Sequence, residues 1–278
     1  MKRASARFFI SMWQFCLSAW RSGFRSRSVH AILVLGILLV GVAYLSASFS
    51  PRQPKTVALD VGLSGLRFSL VLFALFWVQE LVGREIERRT VMYALSYPVS
   101  RASYVLGRYL GVLGLLGLAA LLLGMLLWLT VLTVGGTYEQ SFRVGLGMSY
   151  WSTIFGLWVD AALVASFAMW IATVSTVTML PVALGAAFAV AGKSLGAVIQ
   201  YLEGGADGDV EFHARFSPVV QFVQWFLPDM SRLDWRDWPM YALFPGAPTI
   251  GLGLAMALAY AAMMLTLAVW TFSRRDFS

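Results

Sequence analysis

The stretch Glu80–Gly111, ELVGREIERRTVMYALSYPVSRASYVLGRYLG, decides how the chain is read, because it is a charged internal segment bracketed by two long apolar runs. Arg84, Glu85, Glu87, Arg88 and Arg89 alternate in sign at spacings of one to four, the pattern of a solvated, ion-paired helix face. Pro98 ends whatever helix precedes it, since proline lacks a backbone donor and biases Tyr97 towards extended geometry. Ser96-Tyr97-Pro98-Val99-Ser100 therefore reads as a tight turn, with Ser100 placed to cap a helix that starts near Arg101. The stretch predicts a short helix in water, a turn and a return to an apolar phase.

Composition says what that phase is. Of 278 residues, 59% are apolar and 13% charged, against about 25% charged in a soluble domain, which makes this an integral membrane protein. The runs Ala31–Phe49, Val61–Val82, Tyr104–Val134, Tyr150–Val174, 178–202 and Ala247–Phe272 are each long enough to cross a hydrocarbon core of about 30 Å as a helix. The fold class is thus all-α, with six transmembrane helices in a single domain over residues 1–278. The formal charge of +7 comes from basic residues beside apolar runs, not from an aromatic-studded basic face, so it speaks for membrane orientation and against nucleic acid. Cys16, the one cysteine, allows no intrachain disulfide, and His30 and His213 stand too far apart in sequence to suggest a metal set.

Residues 1–28 imitate a signal peptide, but no small-x-small cleavage site follows and Arg21, Arg25 and Arg27 come at once. Arg7, Ser11, Gln14, Ser18 and Arg21 recur at helical spacing opposite Phe8, Phe9, Met12, Trp13, Phe15, Cys16 and Trp20, predicting an amphipathic helix in the membrane interface. Cys16 then serves packing. Gly107, Gly111, Gly114, Gly117 and Gly124 form a stripe on the third span that lets another helix approach closely. With the amino terminus inside, 13 Lys and Arg lie on the inner side and six on the outer, which predicts cytoplasmic termini and a cytoplasmic 84–103 loop. The external 203–245 segment, with Trp225, Trp235, Trp238 and Tyr241, reads either as a surface loop with an aromatic belt or as short helices dipping into the outer leaflet.

The same stretch resembles type-2 ABC transporter permeases, in which an acidic residue ending the second span precedes a G-E-x-E-x-G-T-like run, L-x-Y-P-x-x-R and a basic-x-x-G entry to the third span. The matching residues are Glu80, Gly83, Glu85, Glu87, Thr90, Leu95, Tyr97, Pro98, Arg101, Arg108 and Gly111, with Arg84 and Arg89 departing from the pattern. Phe272-Ser273-Arg274-Arg275-Asp276-Phe277 is similar to the family's F-x-R-R-D-hydrophobic tail. Pro228-Asp229 and Arg232-Leu233-Asp234 resemble permeases linked to multicopper-enzyme maturation, although twelve scattered methionines and two histidines outline no copper path. The resemblance implies a permease subunit of an ATP-driven exporter, paired with a second permease expected to be its own copy, with cytoplasmic ABC ATPase chains and with a periplasmic partner left open. It assigns ATPase coupling to Glu85, Glu87, Thr90, Tyr97, Pro98 and Arg101. No cofactor is expected in this chain, and ATP and magnesium belong to the partner ATPase.

Three further features of the sequence carry possible chemistry. Ala187–Ser194, AFAVAGKS, lacks the first glycine of a phosphate-binding loop and sits in a span, so the chain is not expected to bind nucleotide. Gly62-Leu63-Ser64-Gly65 matches the nucleophile motif of rhomboid-like intramembrane serine proteases, the rival function, but places no histidine beside Ser64. Asp160 and Lys193 are ionisable groups inside spans at a matching depth of roughly 15 Å. They read as a structural ion pair, as a polar lining of a transport route, or as a sign that a span is misplaced. Arg67 and Glu80 are expected to snorkel to the interfaces.

Overall fold

The computed structural model describes residues 2–275 apart from 88–99, 136–142, 178, 204–217, 219, 221, 224 and 225, and apart from the side chains of residues 2–7, 28, 29 and 203. Among the described residues the elements are α1 (Lys2–Phe24), α2 (Arg27–Ser48), α3 (Pro54–Val78), a π-helical turn (Gln79–Gly83), α4 (Arg84–Glu87), α5 (Arg101–Thr133), α6 (Met148–Val174), α7 (Leu180–Glu203), a 3₁₀ turn (Met230–Leu233), α8 (Asp237–Tyr241) and α9 (Ala247–Arg274). Six stretches are long and apolar enough to cross a membrane: His30–Ser48, Pro54–Glu87, Arg101–Thr133, Met148–Val174, Leu180–Leu202 and Ala247–Arg274. The all-α membrane fold read from composition and run length is the fold observed.

Helix α5 begins as its sequence requires. Ser100 Oγ accepts the Ser103 amide at 3.1 Å, satisfying a first-turn donor that a helix leaves orphaned. The glycine stripe of α5 serves two neighbours in succession. A methyl group on Gly107 would stand 2.5 Å from the Met12 carbonyl oxygen, and one on Gly111 2.5 Å from Ala19 Cβ, so α1 lies against the first half of α5 at backbone distance. Further along, Gly117 and Gly124 face Trp158 and Ile154 of α6.

The contact with α1 turns Cys16, Ala19 and Gly23 inward and leaves Phe9, Ile10, Trp13 and Leu17 exposed. Ser18, expected on the solvated face, accepts a hydrogen bond from Arg108 of α5 at 3.2 Å. The helix is therefore apolar on two sides, one against protein and one outward. Its position in the membrane interface rests on its amphipathic pattern.

The second span differs most from expectation. It starts at Pro54, seven residues before the predicted Val61, because Asp60 lies at a polar but helical position and Pro54 is well suited to a helix's first turn. Its 34 residues pass through the π turn and α4, about 51 Å at 1.5 Å per residue, so one end must project beyond a core of about 30 Å. The π turn sits where the charged stretch begins. Gln79 is buried there with neither amide atom bonded among the described residues, and a methyl on Gly83 would stand 2.5 Å from its Oε1.

Residues 228–241 enter the bundle. Met230, Leu233, Trp235 and Met240 are buried, the Leu233 carbonyl lies against Gly156 of α6, and Met230 and Ser231 lie against Gly192 and Gly196 of α7. Residues 228–241 carry two short helical pieces, the 3₁₀ turn and α8, packed against the bundle. Between 219 and 227, residues 220, 222, 223 and 226 are helical, and 219, 221, 224 and 225 lie outside the described residues. Left-handed backbone at Ala242 (φ 58°) and Gly246 (φ 84°) then turns the chain into α9.

Candidate functional site

Two polar clusters occupy opposite ends of the bundle. At the end that carries the charged stretch, Glu85 accepts the Tyr104 hydroxyl at 2.7 Å and forms an ion pair with Arg108. Arg108 reaches Ser18 with its other terminal nitrogen, so one guanidinium joins α1, α4 and α5. Tyr104 in turn stacks on Phe272 of α9, with ring centroids 5.3 Å apart and planes at 13°. Glu80 accepts Ser26 Oγ and Arg84, each at 2.8 Å, which anchors the α1–α2 corner to the π turn; it is held by partners and does not simply snorkel.

Arg101 does something the sequence does not show. Its guanidinium donates to the carbonyls of Phe272, Ser273 and Arg275 at 2.9, 3.1 and 2.9 Å, satisfying orphan acceptors at the end of α9 where the helix dipole is negative. Arg275 repeats the device by donating to the Thr173 and Ser175 carbonyls at the end of α6, at 2.7 and 3.1 Å. The two motifs that lie 171 residues apart, around Arg101 and Phe272, thus meet in one clasp. Glu87 is exposed beside it, on the rim of a small cavity of about 20 Å3 shared by Gly83, Ile86, the 175–177 turn, Pro181 and Arg275. Thr90, Tyr97 and Pro98 lie outside the described residues.

At the opposite end Asp160 and Lys193 do not pair with each other. Asp160 takes Arg67, with Nε to Oδ2 at 2.7 Å and a second, longer contact of 3.4 Å, while Lys193 pairs with Asp234. The expected pairing fails because α3 begins earlier than predicted: Arg67 lies 13 residues past Pro54, about 20 Å along the helix, level with Asp160 and too deep to snorkel. Asp234 continues to Arg236 at 2.9 Å, and Arg236 to Asp60 and Ser64 at 3.2 and 2.9 Å. Two acids and two bases, Asp60, Asp234, Lys193 and Arg236, close into a neutral assembly that fastens residues 234–236 to α3 and α7, with the separate Arg67–Asp160 pair joining α3 to α6. Burial pushes the Asp234 carboxyl up, but Lys193 and Arg236 outweigh it and hold the group below the usual carboxylate range.

Sequence reasoning missed Asp60, Asp234 and Arg236. A signal was present: Asp60, Ser64 and Arg67 stand at i, i+4 and i+7, one polar stripe on an otherwise apolar helix. Ser64 accepts its described hydrogen bond from Arg236, a group that stays protonated and cannot serve as a general base. His213 lies outside the described residues.

Residues 18–277 match the family described as ABC-2 family transporter protein. The chain belongs to the ABC-2 transporter family. Among curated relatives, the probable ABC transporter permease protein NosY of Stutzerimonas stutzeri is 31% identical over 148 residues, covering 51% of this chain and 50% of that protein. The protein of the same name from Pseudomonas aeruginosa is 31% identical over 117 residues, covering 40% and 42%. These alignments span half or less of the relatives' length. The ABC-2 match, in contrast, takes in both the charged stretch and the whole tail motif, and with six spans among the described residues it makes this a multi-pass membrane component of permease type.

Proposed function

We propose that this ABC-2 chain is the membrane-spanning permease subunit of an ATP-driven exporter. It works with a second permease copy and with separate cytoplasmic ABC ATPase chains that bind ATP and magnesium, and it lies in the inner membrane with both termini in the cytoplasm. The observation that carries the reading is the clasp at the charged end. The segment 84–101 is bounded by Glu85, tied through Arg108 to α1, and by Arg101, tied to the end of α9. Arg275 passes that connection to α6, which carries Asp160. A push delivered to 84–101 by a nucleotide-driven partner would meet a joint already fixed to three spans and to the amino-terminal helix. Exposed Glu87 is the side chain on offer to that partner.

The test is Glu87→Lys, which inverts an exposed charge without touching the clasp. In membranes containing the cognate ATPase it should lower ATPase copurification and permease-stimulated ATP turnover by roughly tenfold, the effect of about 1.4 kcal/mol, while insertion and yield stay unchanged. Normal copurification and turnover in the variant would remove this loop from the coupling role.

A further inference from the structure

The corner between α1 and α2 carries a charge pattern outside both polar clusters. Arg21, Arg25 and Arg27 are all exposed there, and none belongs to the ion pairs of the described residues. Glu80, the acid bonded to this corner through Ser26, already holds Arg84. Phe24 and His30, three residues along the chain from Arg21 and Arg27, line a cavity of about 90 Å3 between α1, α2, α3 and α5, walled also by Leu33, Phe73, Leu118 and Leu122. Phe24 and Leu122 are 51% and 54% exposed, which puts the opening on the outer surface of the bundle. His30 is its polar wall and is fixed by an Nδ1–H donated to the Ser26 carbonyl at 2.7 Å.

Chain adjacency sets these two features at one level. Arg21 precedes Phe24 by about one helical turn and Arg27 precedes His30 by the same interval. The 22 residues of α2 span about 33 Å, close to the thickness of the hydrocarbon core, so its first residue stands at a headgroup boundary and the cavity lies just inside the acyl region. An apolar hollow in that place is filled by a hydrocarbon chain, and unpaired arginines at its mouth favour a phosphate with net negative charge.

We propose that this corner is a binding site for one anionic phospholipid of the surrounding bilayer, with its phosphate held by Arg21, Arg25 and Arg27 and an acyl chain lodged between α2, α3 and α5. The site would bind the lipid into the same corner that Ser26 and Glu80 tie to the π turn.

Native mass spectrometry of the full-length chain in mild detergent tests it, with dioleoyl phosphatidylglycerol and dioleoyl phosphatidylcholine titrated in parallel. One phosphatidylglycerol per chain should persist at detergent concentrations that strip phosphatidylcholine. Arg25→Gln combined with Arg27→Gln should weaken its retention roughly thirtyfold, the loss of two surface arginines. Leu118→Trp fills the cavity and keeps every charge, and it should also lower retention; if that variant does not fold, Leu122→Phe fills the rim instead. Equal retention of the two lipids by the unmodified chain would overturn the site and leave the arginines as orientation signals. Retention unaffected by filling the cavity would overturn it as well, as would competition by glycerol 3-phosphate, which would mark a soluble-phosphate site.

Discussion

Removing Arg67 leaves Asp160 as a carboxylate with a side chain 2% exposed and no direct partner, whereas removing Asp160 leaves an arginine 17% exposed that keeps some access to water. Breaking a buried ion pair by deleting one member costs about 3–5 kcal/mol, and replacing both by apolar groups is often neutral or better. Arg67→Met is therefore expected to cost most, Asp160→Leu somewhat less, and the double variant less than either. At the upper figure the folding equilibrium shifts by between three and four powers of ten, large enough to see as lost yield. Thermal unfolding in nanodiscs, followed by the fluorescence of the eleven tryptophans, measures all three. A further arm combines Asp160→Leu with Lys193→Met. Because Lys193 is bonded to Asp234, this combination should recover much less than Arg67→Met does. Simple additivity of Arg67→Met with Asp160→Leu, or a stronger rescue by Lys193→Met, would refute the observed pairing. ATP turnover and transport by the rescued double variant then separate roles: a structural pair leaves them intact, and a route lining loses them in a stable protein.

Gly107→Val should drive α1 from α5, since its first side-chain carbon alone meets the Met12 carbonyl at 2.5 Å, at a cost of about 1–3 kcal/mol. Cys16, buried and with its thiol pushed up by burial, should become reactive to maleimide in that variant but not in Gly41→Ala, where nothing lies within 4 Å. Arg275→Gln removes the guanidinium from the Thr173 and Ser175 carbonyls and should lower thermal stability by about 1.5–3 kcal/mol; a change below about 0.5 kcal/mol, within the range of ordinary surface substitutions, would show that the clasp does not support α6. Asp234 is held below its unfolded value, so its contribution is complete above about pH 4 and fades as pH falls through the lower folded value. Asp234→Asn should accordingly be less stable than the unmodified chain at pH 7, with the gap constant down to about pH 5 and closing below pH 4. A gap that closes between pH 7 and 5 would contradict the assignment.

Much of the frame was legible because the membrane imposes long, nearly uniform apolar runs that only helices can satisfy. The same constraint hid the register of α3. A polar residue such as Asp60 looks like loop in a hydropathy reading, yet it is a helical position whose carboxylate meets Arg236 from a segment 176 residues away. The glycine stripe announced close packing but not its division between α1 and α6. Ser100 announced a cap, and the cap is there. Arg101 was legible as a motif residue, while its grip on the carbonyls of α9 was not, because those acceptors are backbone atoms and carry no residue identity.

The sequence by itself determined the six spans, the charged stretch between the second and third, and the ABC-2 family, since each depends on local composition or on short motifs. Tertiary structure alone decided which charges meet. Asp160 and Lys193 stand at similar distances along their helices in the sequence reading, but an ion pair at 2.7 Å needs helices that are neighbours in the correct rotation, and α3 supplies Arg67 to Asp160 while residues 228–241 supply Asp234 to Lys193. Partner choice among buried charges depends on packing contacts made by residues far apart in the chain, where short-range pattern carries no information.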